Sequence, residues 1–391
     1  MNWRLAMVQL FFTLGWTVYV IFLPGLLKQA GIDASWLPWV LIVDQLLFAA
    51  ADVATGLWLD RSQQWLLRAG NWLTVLVLAA CAVFVLLPFT AQSMPALLVP
   101  ALFVWVICSS VLRVPPLVLL AKYAAPQQPS SLNSPIAAYL FGLGVAGALA
   151  PYLTVVLKNR DPVLPFLMAS LALGAATLAL RGQLMKTNLA ANTQIEPTAR
   201  GGFATALPLL VAVALFAFGI QIHAAVNSAK LFSRVAADVP LEWLMPLFWG
   251  GFSIAMFPVS AWLSRSSAPG VAGYTLRIAG LTGGIALIAC AATPPLPLMV
   301  ALQIVAGAAW GTVFVSAIAF AAQIGRTGRE GGWIGATLAL MALAAVGRIV
   351  LVLTVLPGNA EIAGQLPWFT GAVWLLGAGV LVLMIARQNS D

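Results

Sequence analysis

Three carboxylates punctuate the apolar stretch at residues 36–61, WLPWVLIVDQLLFAAADVATGLWLDR: Asp44 and Asp52 lie inside it, and Asp60 closes it beside Arg61. An ionised carboxylate at membrane depth costs several kcal/mol unless it is paired, hydrated or protonated. Two in one apolar run therefore call for a proton to exchange, a cation to pair with or a gate to hold. Arg113, in a later apolar run, is the cation at matching depth. Asp52 lies 8 residues from Asp60 and Arg113 lies 9 from Lys122, which places both ~12–14 Å in from the same face at ~1.5 Å per residue. The pair is expected either to couple protons to a transport cycle or to stand as a permanent structural link between two helices. By the same count Asp44 lies 8 residues from Trp36 and Arg348 lies 9 from Pro357. Both then sit ~12–14 Å below the opposite face, where they are expected to act as a gate, with Asp60 and Arg61 as gate residues at the other end.

His223, the single histidine, lies in GIQIHAAVNSAK. His223 and Asn227 are four apart and share a helix face, with Gln221 and Ser228 nearby. The expected roles are substrate hydrogen bonding or proton relay; a hydrogen-bonded contact between helices is the alternative. Trp16, Tyr19, Trp105, Trp249 and Trp310 fall within apolar runs. If they face a central cavity, the substrate is organic and partly apolar or planar. Trp36, Trp39, Trp243 and Trp368 fall near run ends, as interfacial anchors do. No P-loop, GxSxG, HExxH or metal-ligand cluster occurs, so no enzyme, cofactor or metal site is expected.

The elements that must position these residues follow from composition. Charged residues make up 8% of the 391-residue chain and hydrophobic ones 62%, which leaves too little polar surface for a water-soluble fold of this length. The class is helical and integral to a membrane. The net charge of +8 reads as a topology signal and not as a nucleic-acid footprint, because the basic residues sit in short loops beside apolar runs. Cys81, Cys108 and Cys290 lie within apolar runs and form neither a disulfide nor a zinc framework. Twelve spans are expected, at residues 5–27, 37–59, 66–88, 95–121, 135–157, 163–181, 205–228, 241–263, 271–292, 296–323, 332–356 and 366–386. The polar stretch at 181–202 divides six spans from six. The domains are therefore residues 1–181, a cytoplasmic linker at 182–204, and residues 205–391. With the N-terminus inside, 12 of the 19 Lys and Arg residues fall on the cytoplasmic side and 5 on the other, which puts both termini in the cytoplasm.

At an offset of 204 residues the halves correspond: WLPWVL (36–41) falls on PLEWLM (240–245), and GLWLDR (56–61) on SAWLSR (260–265), with Trp58 over Trp262. Tyr19 and His223 coincide at this offset. Asp44, Asp52, Arg113 and Arg348 have no charged counterpart, as expected of residues added to a scaffold for a site or gate. The run Asp52-x-x-x-Gly56-x-x-x-Asp60-Arg61, its weaker echo at 256–265 and the parallel six-span halves resemble the major facilitator superfamily. That resemblance implies an all-α fold of two six-helix bundles and a monomeric secondary transporter of the inner (plasma) membrane, working by alternating access on a small-molecule substrate and protons. DVATGLWLDR, together with VPPLVLL in span 4, is similar to sugar–cation symporters of the superfamily and implies proton-coupled uptake. The glycine-rich GLGVAGALAP of span 5 is similar to its drug–proton antiporters, so a proton-driven exporter is the alternative. A copper-importing branch uses His/Met pairs at four-residue spacing. Here the comparable pairs are His223 with Asn227 and Phe252 with Met256, which lack paired soft ligands. A non-transporting membrane sensor or assembly protein is the remaining class.

Overall fold

The computed structural model describes residues 2–61, 69–123, 133–184, 203–266, 270–325 and 328–388. Most of the linker read at 182–204 lies outside the described residues. Among those described there is no strand, and twelve helices are long and apolar enough to cross a membrane. The chain is a multi-pass membrane protein. In order, the helices are α1 (Asn2–Gln29), α2 (Leu37–Arg61), α3 (Ala69–Ser93), α4 in two pieces (Leu98–Ser110 and Val114–Tyr123), α5 (Asn133–Leu157) and α6 (Val163–Leu184). Then follow α7 (Phe203–Ile222, a π-helical turn His223–Asn227, and Ser228–Val235), α8 (Leu241–Leu244 and Pro246–Arg265), α9 (Val271–Ala291), α10 (Leu296–Ile324), α11 (Glu330–Val350 with a π-helical turn Leu351–Val355) and α12 (Ala360–Gln388).

Two boundaries differ from the sequence reading by more than about five residues. The α12 helix starts at Ala360 and carries Pro367 inside it, in its second turn, where the missing N–H gives up the bond to the Ala363 carbonyl without ending the helix. The α7 helix runs on to Val235, so Lys230 and Arg234 lie on its last turns and not in a loop. The break in α4 also has a sequence cause. Pro116 lacks the N–H that would bond the Leu112 carbonyl, and the helix opens into a turn at residues 111–113. The freed Leu112 carbonyl accepts the Tyr139 hydroxyl of α5 instead. Arg113 sits at this break, so its side chain is aimed by a backbone irregularity that α5 stabilises.

The duplication shows in the packing. Trp58 of α2 meets Trp72 of α3 edge-on at 5.3 Å, and its counterpart Trp262 of α8 donates to Thr275 of α9 at 3.1 Å. Trp36, Trp39, Trp243 and Trp368 are all exposed, as anchors at a bilayer surface would be. The helices of the two halves meet chiefly through α2 with α11 and α5 with α8. The α5–α8 seam is made by small residues. A side chain at Gly144 would strike Ser253 and Phe252, and one at Gly147 the ring of Trp249. Small residues at such crossings let backbones approach where lipid offers no hydrophobic drive.

Candidate functional site

A cavity of about 440 Å³ lies between the first six and the last six helices. One end of it is sealed where α2 meets α11. Gly56 and Gly331 bring the two backbones together so closely that a Cβ on either would overlap the other's carbonyl, and Gly335 lies equally close to the Asp52 carbonyl. Asp60 completes the seal. Its Oδ1 accepts the Gly331 N–H at 2.9 Å and its Oδ2 the Gly332 N–H at 2.7 Å. These are among the first N–H groups of α11, which have no partner within the helix and carry its positive dipole end. The carboxylate of one half thus caps a helix of the other. Arg61 is exposed at the end of α2. Charge-assisted bonds of this kind contribute roughly 1.5–3 kcal/mol. Asp60→Ala is therefore expected to shift the population away from this sealed form about tenfold, seen as longer α2–α11 distances between spin labels placed near the seal. An unchanged distance distribution would show the cap to be incidental.

Above the seal lies the Asp52–Arg113 pair. Asp52 is fully buried, and Arg113 grips both its oxygens: Nε at 3.0 and 3.1 Å and Nη2 at 2.8 Å. The guanidinium lies over the Phe48 ring, 4.8 Å from its centroid, and Nη2 also reaches the Leu338 carbonyl of α11 at 3.4 Å. Arg113 lines the cavity. The pair therefore joins α2 and α4 of the first half to α11 of the second at the cavity floor.

Of the remaining expected site residues, Trp16, Gln221, Trp249, Trp310 and Arg348 lie on the cavity wall. Tyr19 and Trp105 do not. Tyr19 is fully buried and donates its hydroxyl to Asp44 Oδ2 at 2.6 Å. Trp105 stacks behind Trp16 at 5.8 Å and against Phe84 at 4.8 Å, so the two rings support the wall from behind. His223 and Asn227 are also buried away from the cavity. The π-helical turn that begins at His223 turns it towards α10, where Nε2 lies 3.1 Å from Gln303 Oε1, with Ser228 3.3 Å away. Asp44 and Arg348 make no contact with each other: Asp44 is held by Tyr19, and among the described residues Arg348 has no salt-bridge partner. The wall residues that sequence reasoning misses are Gln9, Thr13, Gln45 and Tyr139. Gln9 and Gln45 carry a usable signal, because an amide within an apolar span needs a partner or a polar cavity.

Comparison with solved structures places this architecture. A bacterial homologue of the iron transporter ferroportin in the outward-facing state superposes with a TM-score of 0.76 at 15% identity, covering 99% of each chain. The human organic anion transporter MFSD10 (TETRAN) gives a TM-score of 0.68 at 14% identity over 97% of each chain. The E. coli fucose:proton symporter FucP gives 0.61 at 14% identity, again over 97% of each chain. No protein-family model and no curated protein matches the sequence. The structural matches show the fold, which is that of the major facilitator superfamily.

Proposed function

We propose that this chain is a secondary transporter that moves a small organic solute across the inner (plasma) membrane by alternating access, driven by protons in the direction of uptake. The observation that carries the reading is the cavity itself: it lies between two six-helix halves, draws its wall from both, and is sealed at one end where α2 meets α11. A site built this way can be offered to the other side by breaking one seal and making another. Residues 1–181 and 205–391 are the two moving bundles, with 182–204 as the cytoplasmic linker. The excess of Lys and Arg on the cytoplasmic side puts both termini and the seal there, with the cavity facing outwards. A wall supplied by one chain is in keeping with a working monomer.

The coupling group in this reading is Asp52. A proton on its carboxylate weakens its hold on Arg113 and so frees a guanidinium that also touches α11. The fucose:proton symporter among the structural neighbours is in keeping with proton coupling. Asp44 and Arg348 act as a latch that forms when the outer side closes; their separation here suits an outward-facing form. The charge swap tests the latch. Asp44→Arg and Arg348→Asp are each expected to depopulate the outward-closed form, read as longer distances between spin labels at the outer ends of α2 and α11, and the double variant to restore a measurable part of it. A double variant no better than the worse single one would remove the latch.

Proteoliposomes holding the purified chain test the function as a whole. An inward proton gradient is expected to drive accumulation of at least one solute from a library of small organic compounds. Gradient-driven extrusion would reverse the direction to export. Movement of no solute in either direction would contradict transport.

A further inference from the structure

Arg348 is a cation on the cavity wall with no protein anion to match it. Its Nε is buried without a hydrogen-bond partner, and among the described residues no carboxylate pairs with it. The other wall cation, Arg113, is neutralised by both oxygens of Asp52. Asp44, the remaining acid within α2, is fully buried, engaged by the Tyr19 hydroxyl and absent from the wall. Apart from the neutral Asp52–Arg113 pair, the wall thus carries one positive charge and no acid among the described residues. A guanidinium short of partners in low-dielectric surroundings is unfavourable unless solvent or a ligand supplies the anion. The same wall carries amides from two helices, Gln45 and Gln221, and parts of the Trp249, Trp310 and Trp16 rings.

We propose that the cavity binds small organic anions with a planar apolar body, the carboxylate or sulfonate taken by Arg348 and the ring system by the indoles of Trp249 and Trp310. The proposal rests on the transporter reading for its physiological meaning but not for its chemistry. Arginine presents a planar fork that matches a carboxylate bidentately, and aromatic walls bind flat apolar surface. The volume suits a molecule of one or two rings, since ligand sites of this kind span about 300–1,000 Å³. A cationic solute would meet Arg348 with like charge. A neutral polyol would find partners in the Gln45 and Gln221 amides but would leave the Arg348 charge without an anion. A soft or hard metal ion would find no thiolate, imidazole or free carboxylate among the described residues of the wall.

The test uses the full chain in lipid nanodiscs and three probes of one shape: 2-naphthoate, 2-naphthamide and 2-naphthylmethylamine. Equilibrium binding is expected to favour naphthoate over the amide by about tenfold, the scale of one charge-assisted bond, and to show no binding of the amine. Arg348→Gln should bring naphthoate down to the affinity of the amide and leave the amide unchanged. Arg348→Lys, which keeps the charge and loses the fork, should fall between; monodisperse elution of the Gln variant itself, with its unchanged amide binding, guards against a folding artefact. Equal binding of the three probes, absence of naphthoate binding, or naphthoate binding indifferent to Arg348→Gln would each overturn the proposal. Transport measured in parallel separates the two claims. A chain that binds naphthoate through Arg348 but moves no solute keeps the anion site and loses the transporter reading. A chain that moves neutral solutes regardless of Arg348 does the reverse.

Discussion

Gly331→Leu is expected to hold the cavity open at the end now sealed and to reduce net transport by about ten- to a hundredfold. A Cβ at this position would overlap the Gly56 carbonyl, which is backbone and cannot rotate away, with the Asp60 carboxylate also in its path. The two helices must then separate, and the N–H groups of Gly331 and Gly332 leave Asp60. Overpacking of this kind costs roughly 1–3 kcal/mol, enough to shift a two-state equilibrium by about ten- to a hundredfold. Gly25→Leu is the matched control, because Gly25 is exposed on α1 and a Cβ added there would meet nothing within 4 Å. Equal transport by the Gly331 variant and the control would mean that this seal does not govern the cycle.

Asp52→Asn is expected to abolish gradient-driven accumulation while leaving exchange of substrate between equal pools. The amide keeps the shape of the carboxylate and can accept one Arg113 bond, but it cannot take up and release a proton. Full accumulation by this variant at normal expression would dismiss Asp52 as the coupling group. Arg113→Ala is expected to do more damage. It leaves a fully buried carboxylate without its cation, a loss of about 3–5 kcal/mol for broken buried pairs, and should lower thermal stability and yield. Combining Asp52→Asn with Arg113→Ala should recover part of that stability. A double variant less stable than Arg113→Ala alone would show that the damage comes from something other than the orphaned charge.

Much of the scaffold can be read in the residues. The apolar runs, their bounding prolines and charges, and the offset of 204 residues between Trp58 and Trp262 point to twelve helices in two related sets. The depth count places Asp52 and Arg113 level, and the structure brings them within 2.8 Å. What periodicity does not reveal is which helix face looks into the cavity. A soluble helix marks its inner face with apolar residues and its outer face with polar ones; here lipid, core and much of the cavity wall are all apolar. Residue type alone therefore puts Tyr19 and Trp105 on the wall when they stand behind it, and passes over Gln9 and Gln45. His223 makes the hydrogen-bonded contact between helices that is its alternative reading; what escapes is the π-helical turn that sets its facing, which no local residue in HAAVN announces. The solitude of Arg348 is a tertiary fact, because equal depth with Asp44 does not say that Tyr19 reaches the acid first.

Cysteine reactivity at Ala345 tests alternating access most directly. Ala345 lines the cavity on α11, and the native Cys81, Cys108 and Cys290 can be replaced to give a silent background. With the seal intact, Ala345→Cys is expected to react with a membrane-impermeant thiol reagent only from the face opposite the seal. Adding Gly331→Leu should lower that reactivity and raise reactivity from the sealed face in the same preparation. Such reciprocity is what a cavity exposed to one side at a time requires. Reactivity from both faces together, or a sealed-face gain with no loss on the other side, would contradict the account.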